Sequence, residues 1–533
     1  MSRKQPTVLP NFTRRALLRD ASLAAVGLAG SGFPGLGRAA GDAVLHIRNY
    51  MDVLSLDPVS SVSGAEALIM NAIFKGLLRF NPGDRWTTRL DAAEYFEQTD
   101  ATHYEFRLKP GQMFTGGFGE MTADDVKFSF ERMVDPAMNA INRPDMGPLS
   151  HVEVRDRYAG TIVLGTPYAA FNSLVGAGAS GVILSRKAVT SVGGRFSTQP
   201  PCCSGPYRFK SWQAQRKTVL ERNPEWPGEQ ALFAELHVYA MTDDKAAEMA
   251  YEAGALDCAL ISVESVEPFE QDMPPDSSIF LLPSGRNFWL GMNQENPALT
   301  DIRIRRAVQY AIDVEAVVEA AWFGLAQVST GPVPPGMTGH RDKALIPPKG
   351  DPDKARGLLA AARVRLPLRL RLDVDNNARN LAAVQVMQWS LKKVGIEVDI
   401  RAQDNSTFVT MGREDLGEQW RDVQLFMQNF IGQADPYYSM TWFSSKQIGL
   451  WNWERFSNAE FDRLNDAALA TLDAAERDRM YRRMQDLMEE SGCYRFLTNG
   501  VMPNIVRNSI EPAFRPDGYA LLADFRPSQN ANG

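Results

Sequence analysis

The sequence is poor in cysteine and histidine and has no long run of basic residues beyond its N-terminal segment. Its 533 residues include four Cys and five His, and the cysteines are scattered apart from Cys202-Cys203. This argues against a zinc ribbon or a disulfide-bonded scaffold. The 57 Lys and Arg residues are outnumbered by 64 Asp and Glu residues, so the formal net charge is −7. We therefore expect no nucleic-acid partner, because nucleic acids are bound by basic patches.

The composition is that of a globular chain with several domains. Apolar residues make up 44% of the sequence and charged residues 23%. At about 150 residues per domain, this length predicts three or four domains. No linker rich in Pro, Gly or Ser separates them, which predicts lobes woven from distant segments. Residues 158–185 carry no charge but contain Pro167 and Asn172, so we predict a strand and a short buried helix rather than a membrane span.

The first 39 residues have the pattern of an export signal. Basic residues precede an uncharged stretch over residues 21–37, and small residues end it, which predicts signal cleavage near Ala39. Residues 13–19 read TRRALLR, which is similar to the twin-arginine (Tat) export motif. A membrane anchor is the alternative, although the uncharged stretch is short and weakly hydrophobic for a span of about 20 residues. We therefore expect the protein in the periplasm.

Two regions alternate between strand and helix patterns. Apolar and charged residues alternate over residues 368–374 and over 396–400, and between them lies a helical pattern that ends at Gly395. A second strand–helix–strand pattern spans residues 236–261, with Thr242 as the predicted helix cap. Strands joined through a helix pair in parallel. The predicted fold class is therefore α/β, with two lobes.

Helix starts are predicted at several further points. Thr122 followed by Asp125 has the form of a capping box. Asp301, Ser457 and Asp473 each precede a helical pattern of apolar residues. These signals predict helices in the regions between the predicted strands.

No sequence pattern indicates a catalyst or a cofactor. Residues 176–181 match Gly-x-Gly-x-x-Gly, but apolar residues follow directly and no acidic residue lies about 20 positions on, so we predict a turn. The five His share no ligand-like spacing, and Asp124 and Asp125 are explained by helix capping. We expect no catalytic residue, no metal and no cofactor. The sequence leaves open whether the four cysteines, Cys202, Cys203, Cys258 and Cys493, form one disulfide or none.

Blocks of sequence spread over most of the chain share the order and spacing of one known family. They are Leu56-Asp57-Pro58, Ile73 to Leu78, Tyr104 to Gly111, Thr122 to Val126, Gly205-Pro206-Tyr207, Asp301 to Asp313, Asp351 to Ala355, and Asp435-Pro436. From about residue 44 to residue 525 the chain resembles the family 5 extracellular solute-binding proteins of ABC importers. That family includes dipeptide-, oligopeptide- and nickel-binding proteins.

The resemblance implies a two-lobed periplasmic-binding-protein fold of type II, peptide-binding-like, with an extra subdomain inserted in lobe I. Lobe I would comprise residues 41–76, 200–286 and 495–533, the inserted subdomain residues 77–199, and lobe II residues 287–494. It also implies a monomeric receptor rather than an enzyme. Such a receptor captures a small organic solute, a peptide or a peptide-like molecule, and delivers it to an inner-membrane ABC permease and its ATPase.

Ligand contacts are expected where the chain leaves strand ends or passes between lobes, since ligands of open α/β sheets lie beyond the carboxyl ends of the strands. The candidate ligand-binding residues are Tyr50, Met51, Asp52, Arg286, Asn287, Phe288, Arg379, Asn429, Phe430, Gly432, Asp435 and Trp442. Three of these have an equally simple structural interpretation. Phe288 fits a core position, Arg379 the start of a helix, and Trp442 burial in lobe II.

One position departs from the family pattern. Peptide-binding relatives place an Asp three residues before the Asp-Pro pair, where it neutralises the free amine of the peptide, and Gly432 stands at the matching position here. A desolvated ammonium group without a counter-charge costs several kcal/mol. Either Asp435 or Asp52 supplies the charge, or the ligand is an opine, an oligosaccharide or a metal chelate. A periplasmic hydrolase is the alternative of another class.

Overall fold

A computed structural model describes residues 43–61 and 63–528 of the chain. The predicted export signal lies outside these residues. Two large sheets dominate the fold. The first has seven strands, in the spatial order Tyr207–Gln213, Lys217–Arg222, Glu235–Ala240, Val44–Asn49, Cys258–Leu260, Val501–Arg507 and Ser277–Pro283. The second has five strands, in the order Ile396–Gln403, Leu368–Asp375, Leu425–Ile431, Arg286–Met292 and Tyr494–Thr498.

A third, four-stranded sheet is antiparallel, with the order Ala93–Gln98, His103–Leu108, Ala159–Leu164 and Leu149–Val154. Short strand pairs join Leu78–Phe80 to Thr88–Leu90, Met113–Phe114 to Gly119–Glu120, and Ile510–Glu511 to Arg526–Pro527. The α-helices are Gly64–Ile73, Ala123–Val134, Arg186–Ser191, Asp244–Glu252, Val266–Gln271, Ile302–Ala311, Val314–Trp322, Pro352–Ala361, Ala378–Lys392, Asn405–Phe408, Pro436–Thr441, Ala459–Ala470 and Ala474–Glu490. In the described part of the chain, no helix combines the length and apolarity needed to span a membrane.

The chain passes between the two large sheets at two neighbouring points. It leaves the seven-stranded sheet at residues 284–285 and returns to it at residues 499–500. The two crossings are bonded to each other, because the Ser284 hydroxyl donates to the carbonyl of Asn499 at 2.7 Å. The predicted α/β fold with two lobes and crossing strands is confirmed.

One of the two strand–helix–strand predictions needs a correction. Leu368–Asp375 and Ile396–Gln403 pair in parallel along their whole length, as predicted. Glu235–Ala240 and Cys258–Leu260 are also parallel to each other, but they are not neighbours. Val44–Asn49 lies between them and pairs with both. Local pattern could not show this, because the intervening strand comes from almost 200 residues earlier in the chain.

Most helix starts follow the capping signals, with two shifts of one residue. Helices begin as predicted after Thr122, Asp301 and Asp473. The start at Ser457 is wrong, because Asn458 accepts from the backbone of the first turn instead. The start at Thr242 is also wrong, because the Asp243 carboxylate accepts from the Ala246 amide at 2.7 Å. Asp243 is a better helix cap than the neighbouring Thr242, whereas Ser457 and Asn458 cap about equally well, so residue type alone could not distinguish these two.

The cysteines are free thiols in this structure, and all four are buried. Cys202 and Cys203 lie in different apolar clusters, although they are adjacent in sequence. Burial raises the pKa of both thiols to about 12. They therefore act as small core residues. Of the two alternatives, one disulfide or none, this structure has none among its four cysteines.

A buried carboxylic acid makes the stability of the five-stranded half depend on pH. The Glu454 side chain is fully buried and accepts a hydrogen bond from the indole nitrogen of Trp289 at 2.6 Å. Burial raises the pKa of Glu454 from its ordinary 4.5 to about 8. Between these two values the folded protein keeps a proton that the unfolded chain has lost, so the free energy of unfolding falls as pH rises.

We predict that Glu454→Gln removes this part of the pH dependence, because glutamine keeps the shape and the acceptor but does not titrate. Each pKa unit corresponds to about 1.4 kcal/mol, so wild type should lose a few kcal/mol more than the variant between about pH 5 and pH 8. Urea unfolding of both proteins at the two pH values measures the difference. Parallel pH profiles would contradict the assignment.

Candidate ligand-binding cleft

A solvent-open cavity of about 340 Å³ lies between the two lobes. Three parts of the chain form its walls. Tyr50 and Tyr519 come from the seven-stranded side, Asp145 comes from the region of the four-stranded sheet, and residues 431–434 with Tyr438 come from the five-stranded side. A volume of this size is typical of small-molecule sites, which lie preferentially at domain interfaces.

The floor on the seven-stranded side is built from two tyrosines. Tyr50 follows the strand Val44–Asn49, and its side chain hydrogen-bonds Tyr519. Burial is the main cause that raises the pKa of Tyr519, so its hydroxyl stays neutral at any physiological pH. A Cβ atom at Gly64 would lie 2.4 Å from the Tyr519 ring. Only glycine at the start of this helix lets the ring lie against it.

The cation in the cavity wall is already neutralised. Arg515 bonds both carboxylate oxygens of Asp517, with contacts of 3.0 and 2.5 Å. Its guanidinium also lies 5.6 Å from the ring of Phe80 and 5.5 Å from that of Trp86. This ion pair gives its part of the wall a polar surface without a net charge.

Asp145 is the other acidic residue of the wall, and it lacks such a partner. It accepts a hydrogen bond from the Ser180 hydroxyl at 2.8 Å. Burial raises the pKa of Asp145 and outweighs the hydrogen bonds from Ser180 and Gln433, which lower it. Across residues 43–61 and 63–528, no Lys or Arg side chain forms an ion pair with this carboxylate.

Two of the predicted site residues, Tyr50 and Gly432, line the cavity. The Gly432 amide donates to the Gly285 carbonyl at 2.6 Å, which ties this wall to the first crossing between the sheets. A Cβ atom at Gly432 would lie 2.8 Å from the Ser439 hydroxyl and 3.1 Å from that carbonyl. The position therefore suits glycine and leaves little room for the Asp of the peptide-binding pattern.

Phe430 and Trp442 form an aromatic cluster behind the cavity wall. Their rings lie 5.9 Å apart, and both lie 6.1 Å from the ring of Trp451. Trp442 also contacts the cavity residue Tyr438, with ring centres 5.5 Å apart. The cluster supports the wall on the five-stranded side rather than lining it.

Four predicted residues lie on the strands next to the first crossing, and a fifth, Arg379, lies on the helix Ala378–Lys392; none of the five lines the cavity. Arg286 donates to the Asn429 side chain at 2.8 Å, and the Arg379 guanidinium lies 5.2 Å from the ring of Phe288. Phe288 is a core residue with 1% of its surface exposed. Asn287 is buried, and its side-chain amide has no partner among the described residues.

Asn429 and Phe430 are expected where the chain leaves a strand end, but the strand that contains them ends later than this prediction requires. Asn429 and Phe430 are still within the strand Leu425–Ile431, which pairs with Arg286–Met292 along its full length. Pairing with a neighbouring strand satisfies the backbone whatever the side chains are, so the end of the apolar run did not mark the end of the strand.

The two carboxylates that we considered as counter-charges are occupied by the protein itself. Asp52 accepts from the Trp212 indole at 3.0 Å and from the Gln215 amide at 2.6 Å, and its neighbour Met51 is half-buried. Asp435 is buried, caps the helix Pro436–Thr441, and forms an ion pair with Arg477 at 2.9 Å. Neither residue lines the cavity.

Sequence reasoning missed most of the wall. The residues found only by the structure include Asp145, Ser180, Gln433, Tyr438, Arg515, Asp517 and Tyr519. Gln433 and Tyr438 flank predicted positions, so the strand-end rule pointed to the right segment. The others come from regions with no strand-end signal of their own, and only the tertiary fold brings them together.

Residues 88–450 match the family model described as "Bacterial extracellular solute-binding proteins, family 5 Middle". The chain belongs to this family. Its members are the substrate-binding components of ABC importers and work in the periplasm or outside the cell. The predicted role of this family 5 protein as a solute-binding component is therefore confirmed, and the family is one of binding proteins rather than enzymes.

Relatives of this family 5 protein cover nearly its whole length. "Probable D,D-dipeptide-binding periplasmic protein DdpA" of Escherichia coli K12 is 26% identical over 484 residues, 87% of this chain and 90% of that protein. "Glutathione-binding protein GsiB" of Salmonella typhimurium is 26% identical over 485 residues, again 87% and 90% of the two chains.

Two solved structures share its fold. HbpA2 from Haemophilus parasuis has a TM-score of 0.81 at 19% identity and covers 91% of this chain and 100% of its own. DppA from Helicobacter pylori, solved with the peptide STSA, has a TM-score of 0.72 at 22% identity and covers 91% of this chain and 98% of its own.

In the described residues of the present protein, no group of three or more His, Cys, Asp or Glu is placed to hold a metal ion.

We predict that Asp435→Asn destabilises this family 5 protein by about 3–5 kcal/mol, because it leaves the buried Arg477 without its counter-charge. Asp466→Asn is the matched control, since Asp466 pairs with Lys446 at the surface and its loss should cost less than about 1 kcal/mol. Urea unfolding gives both values. Equal effects of the two substitutions would show that the Asp435–Arg477 pair is not a buried structural pair.

Proposed function

We propose that the protein captures a peptide or peptide-like solute in the cavity between its lobes and delivers it to an inner-membrane ABC permease with its ATPase. The observation that carries this proposal is the 340 Å³ cavity, whose walls come from the sides of both large sheets. A ligand in this place contacts both lobes at once. Such differential contacts are what a solute needs in order to favour a closed state over an open one.

The lobes that we propose follow the two sheets. Lobe I comprises residues 41–76, 200–286 and 495–533, with residues 77–199 as its inserted subdomain, and lobe II comprises residues 287–494. The four-stranded sheet falls within residues 93–164, which supports the range of the inserted subdomain. The five-stranded sheet falls between residues 286 and 498, so its last strand, Tyr494–Thr498, extends four residues past the proposed end of lobe II. The two bonded crossings then form the hinge.

Direct contacts link the proposed inserted subdomain to lobe II across the cavity mouth. The Ala169 amide donates to the Leu469 carbonyl at 2.7 Å. Next to it, the rings of Tyr168 and Tyr437 lie 6.3 Å apart. These contacts join the two lobes outside the hinge, so opening the lobes must break them.

The ligand class is proposed from the relatives together with the cavity. The names of the relatives given above specify a D,D-dipeptide in one case and glutathione in the other, and both are small peptides. The wall offers tyrosine hydroxyls, side-chain amides and two carboxylates, of which Asp517 is paired with Arg515, and these groups suit the amides and charges of a short peptide. Opines, oligosaccharides and metal chelates are the alternative solutes.

We also propose that the protein is a monomer that reaches the periplasm by Tat export, with cleavage near Ala39. The TRRALLR segment and the family's periplasmic or extracellular location support this. Sequencing the N-terminus of protein recovered from the periplasm tests it.

We predict that a di- to pentapeptide stabilises the mature protein and leaves it chemically intact. At about 100 times its dissociation constant, the ligand should add roughly 2.7 kcal/mol to the free energy of unfolding. A thermal-unfolding screen against short peptides, opines, oligosaccharides and nickel chelates measures the shift, and mass spectrometry of the recovered ligand shows whether it is intact. Stabilisation only by a non-peptide solute would overturn the ligand class, and a cleaved peptide would favour a hydrolase.

A further inference from the structure

The cavity contains one carboxylate whose charge the protein does not balance. Two acidic residues, Asp145 and Asp517, line it, and Asp517 is held by Arg515. Asp145 has hydrogen bonds from neutral groups, and no cation in residues 43–61 or 63–528 forms an ion pair with it. A half-buried carboxylate without a counter-charge is unfavourable, because desolvation disfavours the charged form.

The surroundings of Asp145 are arranged for a cation rather than for a neutral acid. Ser180 donates to the carboxylate, and the Gln433 amide reaches it from the opposite lobe. Tyr438 lies close enough that the charge of Asp145, after burial, raises its pKa. A carboxylate with a tyrosine hydroxyl and a side-chain amide beside it forms the kind of site in which an ammonium group is bound by ion pairing and by hydrogen bonds.

The other positions considered for this role are not available to a solute. Gly432 has no side chain, Asp52 is bonded to Trp212 and Gln215, and Asp435 is paired with Arg477. The counter-charge for a cationic solute is therefore not on lobe II, where the peptide-binding pattern has it. It is on the segment Arg143–Met146, on the opposite wall.

We propose that Asp145 binds a cationic nitrogen of the solute, such as a free ammonium group, and so determines specificity for cationic solutes. This inference rests on the proposed function, because it uses the same cavity. Gln433 contacts both Asp145 and Tyr438, so an ammonium group at Asp145 is held at the boundary between the lobes. The solute class is therefore a small molecule with a free amine.

The test compares free-amine and N-acetylated forms of each peptide and opine, together with oligosaccharides, by calorimetric titration of wild type, Asp145→Asn and Asp145→Glu. Asp353→Asn, which removes an exposed carboxylate on the helix Pro352–Ala361, is the matched control. Asparagine keeps the shape and the bond from Ser180 but not the charge. Circular dichroism and melting temperature confirm that each variant is folded.

We expect wild type and Asp353→Asn to bind the free-amine form on the order of 100-fold more tightly than the acetylated form. Asp145→Asn should lose that preference while its affinity for the acetylated form is unchanged, and Asp145→Glu should keep part of it. A peptide that binds with no such dependence on Asp145 overturns this inference and leaves the proposed function standing. An opine that needs Asp145 supports the inference and overturns the peptide assignment. Binding of neutral sugars alone, or of nothing, contradicts both.

Discussion

The structure depends on one constraint, which is that two separately packed sheets are joined by only two crossings of the chain. The crossings lie side by side, and the Ser284 hydroxyl bonds one to the other. Gly500, with a φ of +70°, brings the second crossing so close to Ser284 that a Cβ atom there would lie 2.6 Å from the hydroxyl. Each sheet keeps an apolar core of its own, so the space between them is left for solvent and solute. Rotation about such a narrow connection breaks only the contacts that bridge the lobes, whereas deforming either core would cost a great deal of packing energy.

The chemistry of the cavity follows from how its charges are balanced. The Arg515–Asp517 pair is complete within the protein, and the Asp435–Arg477 pair lies in the packing of the five-stranded side. Asp145 is the acidic residue of the cavity wall that has no cationic partner among the described residues. A site built in this way can hold and orient a solute, and no His, Lys or Cys side chain is among the described residues that line it. This agrees with a family of binding proteins.

Much of the fold could be predicted from the sequence, because local periodicity and capping chemistry decide local structure. The alternation over residues 368–400 gave the correct strands, helix and parallel pairing. The place of Val44–Asn49 between two later strands could not be predicted, since pairing between distant segments leaves no local pattern. The site residues also divide into those that local sequence pattern predicted and those that it could not predict. Tyr50 and Gly432 follow strand ends and line the cavity, whereas Asp145 and Tyr519 belong to irregular segments that only the fold brings there. Asp435 follows the end of a strand, which is where a ligand-binding residue is expected. Its carboxylate is instead paired with Arg477, 42 residues later in the chain.

The most direct test is the distance between the lobes with and without solute. Ile141 and Leu416 lie on opposite sides and are 57% and 54% exposed, whereas the four native cysteines are at most 4% exposed, so cysteines introduced at these two positions can be spin-labelled selectively. Pulsed electron spin resonance then gives the distribution of distances. If the lobes close around a solute, a saturating ligand must shift this distribution to a shorter and narrower form. An unchanged distribution at saturation would contradict the account.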